Sequence, residues 1–101
     1  MMIVEPNTEK ANTDFAYLVD EMGEHAARDF YQIHAAAIAI TEMMHENGGT
    51  VATSAPILAG MFYMEDGVAE GMLLKLEEWN CMHGGSISPR DFYYLCETIQ
   101  L

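Results

Sequence analysis

Basic residues are scarce in this chain. Four lysines and arginines stand against 16 aspartates and glutamates, a formal net charge of −12. Such a surface repels phosphate, so direct binding to nucleic acid or to an anionic membrane is not expected. Cysteine is nearly absent as well. Cys81 and Cys96 are the only two and form no C-x-x-C pair, which points to reduced thiols rather than a disulfide framework or a zinc knuckle. Long apolar runs are missing. The stretch "APILAGMFYM" at 55–64 is about half of a membrane span. The opening "MMIVEPNTEK" has no basic segment ahead of an apolar one and does not read as a secretory signal. The expectation is a soluble, cytoplasmic protein. There is no phosphate loop, no serine elbow and no zinc-ligand spacing, so no enzyme class is indicated and no cofactor is expected.

What is present is apolar periodicity. The 101 residues, half of them apolar, suffice for one domain with a modest core. Residues 1–12 show no period and read as a flexible N-terminal arm, leaving 13–101 as a single helical domain. From Thr13, a plausible N-cap, apolar residues fall at Phe15, Leu18, Met22, Ala26, Phe30, Ile33, Ala37, Ile40 and Met44, in steps of three and four. Gly23 is a point where this stretch can divide. "AAAIAI" at 35–40 has no polar face and should be central to the core. A further helix is expected from about Ser54 to Met64, with Pro56 in its first turn. Another is expected after a cap at Asp66, with Val68, Met72, Leu76 and Trp79 facing inward. The last starts at Ser88 and Pro89, with Asp91 three residues after the cap, and buries Phe92, Leu95, Cys96 and Ile99. The fold class is therefore all-α, a bundle of four to five helices.

Two short stretches repeat a pattern. "GGTVAT" begins at Gly48 and "GGSISP" at Gly84, 36 residues further on. In each, a helix ends, two glycines turn the chain, a β-branched residue follows and a new helix starts, so the chain holds two helix–GG–loop–helix units. Val51 and Ile87 are the natural points for the loops to meet in a short antiparallel pairing. "GGSISPRDF" resembles the second half of an EF-hand loop, which implies paired loops at 44–55 and 80–91. Calcium needs oxygen ligands at loop positions 1, 3, 5 and 12. The first loop offers Met44, Glu46, Gly48 and Ala55, the second Asn80, Met82, Gly84 and Asp91. The resemblance thus extends to a degenerate geometry without the carboxylates of a metal site. A helix-turn-helix reading of the last two helices fails on charge, because Arg90 is the only basic residue on the final one.

The acids cluster. Asp20, Glu21 and Glu24 crowd one helical region, where Asp20 and Glu24, four apart, would repel. Glu70, Glu77 and Glu78 form a second region. Of the adjacent Tyr93 and Tyr94, one must reach the surface and can anchor a partner; Met82 is a further candidate. Glu42 and His45 form Glu-x-x-His, a spacing that bundled carboxylate metalloproteins use. A single copy would be completed only in a homodimer. His34 and His45 share a helix face but stand roughly 16 Å apart along its axis. The function these features favour is a non-enzymatic acidic interaction module that occupies a basic, nucleic-acid-binding surface on a partner protein or complex. In size and charge the chain resembles small acidic inhibitors, including DNA mimics and phage anti-CRISPR proteins. The alternatives are a chaperone or immunity protein for a basic effector, and a dimeric metal-binding protein built on Glu42 and His45.

Overall fold

The structure, a computed structural model, describes residues 6–84 and 87–97, with side chains from residue 13 onward. Five helices follow one another: α1 (Pro6–Met22), α2 (Glu24–Asn47), α3 (Val51–Phe62), α4 (Asp66–His83) and α5 (Pro89–Glu97). No strand occurs among the described residues. The 24-residue α2 is the axis of the bundle, since it packs against all four other helices. Leu18, Leu58, Leu73 and Phe92, one from each of those four, are the largest fully buried side chains. Burying each such side chain stabilises the fold by about 1.5–3 kcal/mol relative to exposing it.

Glycine sets the breaks. Gly23 adopts φ 90° between α1 and α2, and Gly48 and Gly84 cap α2 and α4 in the left-handed region at φ 71° and 67°. Side-chain oxygens set two starts. The Ser88 hydroxyl accepts from the Asp91 backbone N–H at 3.1 Å, ahead of Pro89 at the first position of α5. Thr50 caps α3 through a reciprocal box with Thr53.

Several expectations need correction. Helix α1 begins at Pro6, so 6–12 are helical, and Thr13 lies inside the helix rather than capping it. The Thr50 cap starts α3 at Val51, ahead of Ser54, which moves Pro56 to the second turn, where it is exposed. Asp66 is the first residue of α4 and Glu65 occupies the cap position. The "AAAIAI" stretch is not uniformly central: Ala37 and Ile40 are buried, while Ala35 and Ala39 face solvent, because successive helical residues turn through about 100°. Ile99 lies outside the described residues.

The EF-hand geometry does not form. The turn between α2 and α3 is only residues 48–50, and Val51 goes straight into a helix. Ile87 is buried instead, and its carbonyl accepts a 2.8 Å hydrogen bond from His34 Nε2. The loops therefore share no backbone pairing at Val51 and Ile87.

That bond fixes the His34 tautomer with the proton on Nε2. Burial lowers the His34 pKa from its ordinary 6.5, against the opposing pull of the Ile87 carbonyl and the Asp14 carboxylate. Asp14 itself is only 4 % exposed and its Oδ2 has no hydrogen-bond partner. A folded pKa below the unfolded one means that the neutral ring's contribution is present above about pH 6.5 and is lost as pH falls through the folded value. His34→Gln keeps a donor for Ile87 and removes the titration. Thermal unfolding between about pH 7.5 and 5.5 should therefore show the wild type losing stability relative to His34→Gln as pH falls. A constant difference across that range would contradict the assignment.

Candidate protein-interaction face

Helix α4 is two-faced. Ala69, Met72, Leu73 and Leu76 are buried, and the exposed side carries Asp66, Glu70, Leu74, Glu78 and Met82 at steps of four, with Cys81 three residues after Glu78. Such steps stack side chains along one helix face. Leu74 is 48 % exposed and Met82 79 %. With Glu77, Glu78 and Cys81 they line a shallow, mainly apolar groove. The predicted acids Glu70, Glu77 and Glu78 are therefore brought onto or beside one face, and that face also holds two large apolar side chains.

Little on this surface neutralises the carboxylates. Lys75 Nζ approaches Glu78 at 3.7 Å. Arg28 pairs with Glu24 at 2.8 Å, and Arg90 lies over the Tyr17 ring, 4.1 Å from its centroid. Among described lysine and arginine side chains, none is left to pair with Asp66 or Glu70. Glu77 has a different partner: its Oε1 lies 2.6 Å from His45 Nε2, joining α4 to the last turn of α2.

No protein-family model, curated protein or solved structure matches the chain. The site must be read from its own geometry. None of the described helices is long and apolar enough to cross a membrane.

The other predicted residues fall elsewhere. Asp20 and Glu21 end α1 and Glu24 begins α2, all exposed. The break at Gly23 removes the predicted Asp20–Glu24 stacking, because the two no longer share a continuous helix; Glu24 turns to Arg28 instead. Tyr93 and Tyr94 fasten α5 to α1. Tyr93 packs edge-on to Tyr17 of α1 as well as to Phe30 of α2, and the Tyr94 and Tyr17 hydroxyls share a 2.7 Å hydrogen bond. That bond raises the Tyr17 pKa and, with help from Arg90 Nη2 at 3.4 Å, lowers that of Tyr94. Tyr94 remains 43 % exposed, but its hydroxyl is engaged.

Glu42 and His45 both line a cleft of about 370 Å³ between α2 and α4. Among the described residues no three His, Cys, Asp or Glu side chains come together as a metal-binding cluster. The Glu77–His45 pair joins residues 32 apart and had no signal in the sequence. Leu74 did have one: it is two residues from both Met72 and Leu76, so a helix must turn it away from them.

Proposed function

We propose that the chain is a non-enzymatic binding protein that occupies a basic surface of a partner protein through the outer face of α4. The observation that carries this reading is the setting of Leu74 and Met82 among Glu70, Glu77 and Glu78. Interfaces combine an apolar centre, which supplies most of the affinity, with a charged rim that steers association. A net charge of −12 selects a basic partner, and surfaces of that kind are those that hold nucleic acid. Small acidic inhibitors that act as DNA mimics work on this principle. Exclusion of nucleic acid from the partner would be the functional consequence.

The test uses two affinity columns, one bearing the wild type and one bearing Glu70→Lys with Glu78→Lys. Both positions are exposed, and glutamate and lysine have similar helix propensity, so the fold should persist. Host proteins retained by the wild type should elute with DNA and with rising salt, and should pass through the variant column. Complementary charge acts chiefly on the association rate, so the variant should bind a purified captured protein at least about tenfold more slowly at low salt. Identical retention on both columns, or retention that DNA does not displace, would refute the proposal.

A further inference from the structure

The cleft between α2 and α4 has a floor and a lip of opposite character. Ile38, Leu76 and Ile87 supply the apolar part, and Leu76 and Ile87 are buried. Glu42, His45 and Asn80 supply the polar part. Its volume of about 370 Å³ lies within the range of ligand sites, roughly 300–1,000 Å³. Among the described residues no lysine or arginine lines it, and none forms an ion pair with the Glu42 carboxylate. The last turn of α2, at His45, and that of α4, at Asn80 and its cap Gly84, both border the cleft. Helix C-termini carry partial negative charge, which adds to that of Glu42.

These features select among ligand classes. An anion would meet Glu42 and two helix C-termini. A wholly apolar guest would strip water from the Glu42 carboxylate without replacing its hydrogen bonds, an unfavourable exchange. A metal ion lacks a set of three donors among the described residues. A cation on an aliphatic stem satisfies both halves: the stem covers Ile38, Leu76 and Ile87, and the head meets Glu42 and the side-chain carbonyl of Asn80. A guanidinium suits this best, because its planar fork can bond a carboxylate through two parallel N–H groups.

We propose that this cleft binds a guanidinium group carried on an aliphatic stem. The source is either an arginine side chain of a protein surface or a free small molecule. The first source rests on the binding of a basic partner proposed above, while the chemistry of the cleft does not depend on it.

The test is an NMR titration of the full chain with n-butylguanidinium chloride, at matched ionic strength, with n-butylurea as the uncharged control. Saturable shifts are expected for the Ile38 and Ile87 methyl groups and the Asn80 side-chain amide, and far smaller ones with n-butylurea. Glu42→Gln, at an exposed position, should keep the fold and weaken binding by roughly tenfold, the usual loss for a charge-assisted hydrogen bond. Glu70→Lys with Glu78→Lys should bind the probe as the wild type does, since neither residue lines the cleft. A blocked Gly-Arg-Gly peptide separates the sources. Shifts at the same residues support an arginine side chain, and shifts with n-butylguanidinium alone support a free small molecule. Absence of saturable shifts, equal response to n-butylurea, or unchanged binding in Glu42→Gln would overturn the proposal. Each of those results leaves capture through the α4 face to be decided by its own columns, so the two readings can fail separately.

Discussion

Replacing Phe92 with alanine is expected to remove about 3–5 kcal/mol of stability, the usual effect of truncating a buried aromatic ring. Phe92 is fully buried, with its ring centroid 5.4 Å from that of Phe30 and 5.5 Å from that of His34. It is the one buried side chain of α5 among the described residues. That helix has nine residues, and isolated helices shorter than about 12–15 residues are marginal in water. Its order therefore comes from docking. Without the Phe92 ring, α5 is held to α1 mainly by Tyr93, Tyr94 and Arg90 at the surface, and the bundle gains a cavity beside α2. Against a typical total of 5–15 kcal/mol, the loss leaves a substantial unfolded population. Urea unfolding measures the effect, and hydrogen exchange should show α5 amides losing protection first. Phe92→Leu, which keeps most of the volume, should be milder. A loss under about 1 kcal/mol for alanine would mean that Phe92 does not anchor α5.

The features that could be read from sequence are those fixed by neighbours along the chain. Gly23, Gly48 and Gly84 break helices where their backbone takes positive φ, and Ser88 with Pro89 starts α5 as its residue types dictate. The inward set of α4 was legible in part: Met72 and Leu76 are buried, while Val68 and Trp79 are half-buried and Leu73 takes their place at the centre. The start of α3 was missed because its capping box uses Thr53 where the familiar pattern has glutamate or glutamine. The glycine repeat misled for a related reason. The residue types recur, but Val51 enters a helix and Ile87 stays in a loop against His34, and that choice is made by packing.

The candidate site divides along the same line. That acids crowd α4 follows from composition and spacing. Which acids stay unpaired does not, because Glu77 meets His45 across 32 residues and Arg90 is drawn to Tyr17 from the far end of the chain. Of the adjacent Tyr93 and Tyr94 one had to reach the surface, and Tyr94 does at 43 % exposure; that the pair also clasps α5 to α1 depends on Tyr17, 77 residues from Tyr94. The same packing left Leu74 and Met82 outside.

Those two residues give the sharpest separation between binding and folding. Leu74→Ala with Met82→Ala is expected to weaken binding of a protein captured on the α4 face by about 2 kcal/mol or more, roughly thirtyfold in Kd. The change should fall on dissociation, since truncating apolar contacts leaves the long-range field unaltered and association among related variants varies little. Charge reversal at Glu70 and Glu78 should show the opposite signature, with slower association and greater sensitivity to salt. Stability is the control. Leu74 and Met82 are exposed to 48 % and 79 %, so removing their outer atoms opens no core cavity, and alanine is the best helix former. Their Tm should stay close to that of the wild type while Phe92→Ala lowers it. Surface plasmon resonance at two salt concentrations, with thermal unfolding alongside, reads both rates and the control. Unchanged dissociation in Leu74→Ala with Met82→Ala would leave the α4 face without its apolar centre, and binding would then have to rest on charge alone.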